Sequence, residues 1–132
     1  MFKLAPKTAP FAFDVIIPDV NDNGAVIKHK VRFLFNRMTR TELDQKETAI
    51  KDALGYADAD RMTAQQTIEL QVERALLYCA GWKDVTGPEG EPLEYTRDNL
   101  FALFNAYPGA YPALFETYVR LVFNNGEALQ KN

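Results

Sequence analysis

The stretch that constrains this chain most is Ala80–Leu103, AGWKDVTGPEGEPLEYTRDNLFAL. Four of the six residues 87–92 are glycine or proline, so no helix or central strand can run through it. The pattern predicts a helix ending at Gly81, then the lone Trp82, a loop, and a new helix opened by Thr96. Thr96 suits an N-cap because its hydroxyl can accept from an orphan helix N–H. Trp82 and Tyr95 flank the loop as apolar pins. These are the parts of a fixed structural joint between two helices, and nothing in them carries catalysis.

The elements around the joint follow from hydrophobic periodicity. Phe11, Phe13, Val15 and Ile17 alternate with Ala12, Asp14 and Ile16, the period of a half-buried strand. Asp19–Gly24 is dense in turn formers. Ile27, His29, Val31, Phe33 and Phe35 then alternate with Lys28, Lys30, Arg32, Leu34 and Asn36, so the two runs form a β-hairpin. A hairpin alone is marginal in water and must pack on the helices that follow.

Thr39-Arg40-Thr41-Glu42 fits a capping box, and Gly55 fits a helix stop. The helix between them has a thin stripe of Leu43, Ile50, Ala53 and Leu54, which predicts a surface position. Residues 55–62 read as a connector. Thr63-Ala64-Gln65-Gln66 opens a second helix, with Ile68, Val72, Ala75, Leu76 and Cys79 on one face. Leu70 and Leu77 lie seven apart on its other face, so this helix is either central in the domain or half of an interface. The helix from Thr96 to Ala106 carries Leu100, Leu103, Phe104 and Tyr107 on one stripe, with Phe101 off it. The last, about 110–123, carries Tyr111, Leu114, Phe115, Tyr118 and Val122.

The fold class expected is therefore α+β, mainly α: an N-terminal β-hairpin followed by about four helices. Its 132 residues form a single domain, with an arm and hairpin at 1–37, a helical body at 38–123 and a loose tail at 124–132. A chain of this size buries roughly two-thirds of its unfolded surface, so no disulfide or metal staple is required. Cys79 is the single cysteine, which makes the cytoplasm the natural compartment. No secretory signal is expected from the start MFKLAPKTAP, and no apolar run nears the roughly 18 residues of a membrane helix. The net charge of −3 is uneven: residues 1–40 hold seven Lys/Arg and three Asp, and residues 41–132 hold eight Lys/Arg and fifteen Asp/Glu. The acidic body argues against nucleic-acid binding, and the two ends could attract each other between copies in a weak homo-oligomer.

No candidate chemistry survives its own requirements. Asp19-x-Asn21-x-Asn23-Gly24 opens like a calcium loop, but the twelfth position is Lys30, where the ion needs a carboxylate. His29 is the only histidine, so no zinc site is available, and its parity places it with the apolar face of its strand as a partly buried structural residue. Cys79 ends a helix stripe as a small buried hydrophobe. Gly87-Pro88-Glu89-Gly90 is no phosphate loop, because Pro88 removes an N–H and the Lys-Ser/Thr of that motif is missing. Lys28, Lys30 and Arg32 lack interleaved aromatics for a nucleic acid and suit a guarded sheet face. The reading is non-enzymatic, with no cofactor and no metal.

Taken together, Gly81, Trp82, Asp84, Val85, Gly87, Gly90, Leu93, Tyr95, Thr96, Asn99, Leu100 and Leu103, followed by Tyr107-Pro108-Gly109-Ala110 and a last amphipathic helix, carry a resemblance over about residues 78–122. This pattern resembles the tail assembly chaperones of long-tailed bacteriophages and prophages. The resemblance implies a protein of the infected host's cytoplasm that binds the tape measure protein, helps recruit tail tube protein as the tube polymerises, and is absent from the finished virion. A tape measure is a very long helical protein whose exposed apolar stripes aggregate unless covered. The alternatives are a minor tail or connector protein retained in the virion, and a small ligand-binding or enzymatic domain. Leu70, Leu77 and Phe101, which the core stripes leave over, are the expected partner-binding residues, since a partner helix can read leucines at i and i+7.

Overall fold

The structure is a computed structural model that describes residues 2–4, 8–55 and 61–122. The tail at 124–132, and parts of the arm and of the 55–62 connector, lie outside the described residues. Two strands, β1 (Phe11–Val20) and β2 (Val26–Phe35), form the hairpin, and α1 (Arg40–Leu54) and α2 (Ala64–Tyr78) follow. A short strand β3 (Cys79–Lys83) then precedes α3 (Arg97–Ala106) and α4 (Ala110–Val122). The α+β hairpin-and-helices architecture is as the sequence predicts.

The hairpin register puts the expected face inward. Phe13 pairs with Phe33, Phe11 with Phe35, and Val15 with Val31. Asn21 shapes the turn: its side-chain Oδ1 accepts from the Asn23 and Ala25 N–H groups at 2.9 and 3.0 Å. Gly24 supplies the positive φ of 78° that a side chain resists. The would-be calcium loop is thus a hairpin turn whose first Asn is occupied by the backbone.

Two expectations need correction. The helix expected to reach Gly81 stops at Tyr78, and Cys79–Lys83 joins the sheet as a third antiparallel strand, in the order β1-β2-β3. Cys79 therefore opens a strand and does not end a helix stripe. The exposed edge of β2 has N–H and C=O groups to satisfy, and β3 supplies partners: Phe33 lies opposite Trp82 and Leu34 opposite Gly81. Second, His29 is exposed and not partly buried; its Nε2 lies 3.0 Å from Asp19 Oδ2. Its ring meets Tyr107 edge-on at 6.0 Å, so its parity is as expected, but the core ends short of the hairpin tip.

The core joins one face of the sheet to three helices. Val15, Ile17, Phe33 and Phe35 from the hairpin meet Val72, Ala75 and Tyr78 of α2, Leu100 and Phe104 of α3, and Leu114 and Tyr118 of α4. α2 is the central helix, packed on β3, α1, α3 and α4. The sheet's other face carries Ile16, Lys28, Lys30 and Arg32 toward solvent, with Val20 and Val26 paired at its tip.

Candidate functional site

The joint forms a closed aromatic unit. The Trp82 and Tyr95 rings sit 5.2 Å apart, edge to face, and each meets Phe33 in the same way at 6.1 and 6.4 Å. Trp82 Nε1 donates to the Leu93 carbonyl at 2.8 Å, and the Tyr95 hydroxyl donates to the Ala75 carbonyl at 2.6 Å. Both polar tips are satisfied, as half-buried aromatics require. Between the two pins the chain turns back on itself, with Gly87 N–H bonded to the Glu91 carbonyl and Leu93 N–H to that of Val85.

The expected partner residues lie on either side of one ion pair. Arg97 of α3 grips Glu73 of α2 with two hydrogen bonds of 2.6 and 2.8 Å. Helical spacing places Leu70, Glu73 and Leu77 along one line of α2, turned away from buried Val72 and Ala75. Leu70 and Leu77 are both half-buried. Leu77 and Phe101 pack against core residues. Phe101 lines a groove of about 320 Å³ together with Leu54, Val72, Glu69, Glu73, Arg97 and Asp98. The structure thus brings Phe101 beside the Glu73 edge of α2, with Leu70 and Leu77 on the neighbouring strip.

α1 is anchored on both flanks of that strip. Its Glu47 accepts the Tyr78 hydroxyl at 2.5 Å, and its Leu54 lines the groove beside Glu69 and Glu73. Residues turn by about 100° each around a helix, so Tyr78 and Glu69 bracket the strip that carries Leu70, Arg74 and Leu77. The other way round α2 is filled by the core at Ala75. α1 therefore lies across the Leu70–Leu77 strip. This arrangement could not be read from the sequence, because the stripe of α1 gives no clue to which helix it covers.

Tyr78 also belongs to an aromatic group. Its ring stacks on Tyr118 at 4.3 Å and meets Phe115 at 6.1 Å, and Phe115 stacks on Tyr111 at 6.1 Å. Burial drives the Tyr78 hydroxyl far above its usual range, with Glu47 adding to it. Burial pushes Tyr118 up to about 12, again with Glu47 adding. Phe115 is the one residue of the α4 stripe that stays exposed, at 43%.

Among the described residues, no group of three His, Cys, Asp or Glu side chains is placed to hold a metal ion. No helix among them is long and apolar enough to cross a membrane. The family model of the phage tail assembly chaperone matches residues 1–127, nearly the whole chain. The chain belongs to this family. No curated protein and no solved structure matches it.

Several motif residues of the family resemblance hold the local structure. Thr96 caps α3 by accepting from Asn99 N–H, and Asn99 Nδ2 returns a bond to the Glu94 carbonyl at 2.8 Å. Asp84 and Gly90 take positive φ, 59° and 82°. A Cβ on Gly109 would stand 2.9 Å from the Pro18 ring, so glycine lets the α3–α4 turn close on β1.

Proposed function

We propose that this chaperone binds the tape measure protein in the host cytoplasm, keeps it soluble, and helps recruit tail tube protein as the tube grows. It acts without catalysis and leaves before the virion is complete. The observation that carries this reading is the line of Leu70 and Leu77 on α2, with Phe101 in the adjoining groove. Apolar side chains at i and i+7 match what one face of a long amphipathic helix presents. The carboxylates of Glu69, Glu73 and Asp98 at the groove add charge discrimination at its rim.

Weak self-association belongs to the same reading. The outer hairpin face joins Ile16, Val20 and Val26 to Lys28 and Lys30, and the groove joins apolar residues to carboxylates. A heterologous contact between two copies could use both.

Mass spectrometry of infected-cell lysate and of purified particles tests the reading. The chain should be abundant in lysate, bound to the tape measure protein, and missing from particles. Stoichiometric recovery from particles would instead make it a connector that stays in the tail.

A further inference from the structure

α1 differs from α2, α3 and α4 in its burial, while an N-terminus capped by its own sequence is common to α1, α2 and α3. Its ends are closed by its own sequence: Thr39 and Glu42 cap each other reciprocally, and Gly55 caps the C-terminus with a positive φ of 67°. None of its fifteen residues is buried. Its half-buried positions are Leu43, Glu47, Ile50 and Leu54, a single stripe at i, i+4, i+7 and i+11. Most helical stability in proteins comes from burying such a stripe, and here one of its four places is a carboxylate. What α1 covers is far richer. Leu70 and Leu77 lie beneath it, and Tyr78 at its flank leads into the Tyr111–Phe115–Tyr118 group. Aromatic residues, tyrosine among them, are the types enriched where interfaces concentrate their energy.

We propose that α1 is a displaceable cover on the Leu70–Leu77 strip, and that the partner is an amphipathic helix carrying the stripe of α1 itself. Such a helix has apolar residues at i, i+7 and i+11, and at i+4 a hydrogen-bond acceptor for the Tyr78 hydroxyl. A partner helix with a fuller apolar stripe takes the place of α1, and α1 swings out as a self-capped helix. In the free protein α1 stays seated and keeps the strip from aggregating, and it reseats whenever the partner leaves. The weak hold of α1 makes opening a local event, drawn from the low-stability end of the fold. The proposal rests on the reading above in placing the partner at Leu70 and Leu77.

The experiment uses the full chain and a fluorescein-labelled peptide with the sequence of residues 38–55. Because the tethered α1 competes at high effective concentration, wild type should bind the peptide weakly. A Leu43→Ala/Ile50→Ala chain should bind it about tenfold tighter or better. A peptide with Ile50→Glu should not bind either chain. Amide hydrogen exchange on wild type provides a second measurement that needs no variant: α1 amides should exchange at least about tenfold faster than those of α2 and α4. Equal protection of α1 and α2 overturns the proposal, whatever the variant does. So does peptide binding that is indifferent to loosening α1. Dimers of the loosened chain that trade α1 between copies would make the occupant a second copy and also overturn it. The peptide comes from this chain, so failure here leaves tape measure binding untouched, and failure of that binding leaves this result standing.

Discussion

At the scale of single residues, the joint and the buried tyrosines make the most definite demands. Trp82 is half-buried, with its N–H on Leu93 and its ring between Phe33 and Tyr95. Trp82→Ala should cost about 3 kcal/mol, the low end for a truncated Trp, and lower the thermal midpoint sharply. A variant melting with wild type would show that the ring does not hold the joint. Burial pushes the Cys79 thiol up as well, so it should stay inert to thiol reagents until the chain unfolds. Tyr78, Tyr95 and Tyr118 all titrate higher folded than unfolded. The folded chain keeps protons that unfolded tyrosines lose near pH 10. Stability should therefore be full below that point and fall as pH rises through it toward the folded values. Urea melts at pH 8 and above pH 10 check this; an unchanged midpoint would contradict it.

At the scale of elements, local chemistry was legible and tertiary pairing was not. Thr39, Thr63 and Thr96 each cap the helix expected of them, because a cap is written within four residues of sequence. The hairpin register followed from parity, since a slip of one residue would turn Val15 and Phe33 outward. β3 is not legible in the sequence because Cys79-Ala80-Gly81-Trp82-Lys83 has no alternation to read, and its strand character comes from the open edge of β2. The exposure of His29 is not legible either, because parity fixes the face of a strand but not how far the core extends along it. The strip under α1 was legible only in part: Leu70 and Leu77 stood out as unexplained, but nothing in the sequence assigned α1 to cover them. Gly109 gives an element-level test. Gly109→Ala forces a methyl against the rigid Pro18 ring and should cost about 1–3 kcal/mol, the usual range for overpacking. Denaturant midpoints measure it, and a neutral result would mean that the α3–α4 turn does not close on β1 in solution.

At the scale of the whole molecule, charge and exposed apolar surface set how copies and partners meet. Residues 1–40 sum to +4 and residues 41–132 to −7, from seven cations against three anions and eight against fifteen. Contacts driven by that split should weaken as the Debye length falls to about 3 Å at 1 M salt. Sedimentation should show association at low salt and monomers at high salt; a strict monomer at low salt and high concentration would rule the contact out. The partner surface is tested most directly by the soluble fraction of the tape measure protein co-expressed with this chain, as wild type or as Leu70→Glu/Leu77→Glu. Wild type should hold the tape measure protein in solution. The double variant should stay folded, because neither leucine is fully buried, and should let the tape measure protein sediment. A tape measure protein equally soluble with wild type, with the variant and alone would contradict the proposed role, and a variant that is itself unfolded would return both leucines to the core.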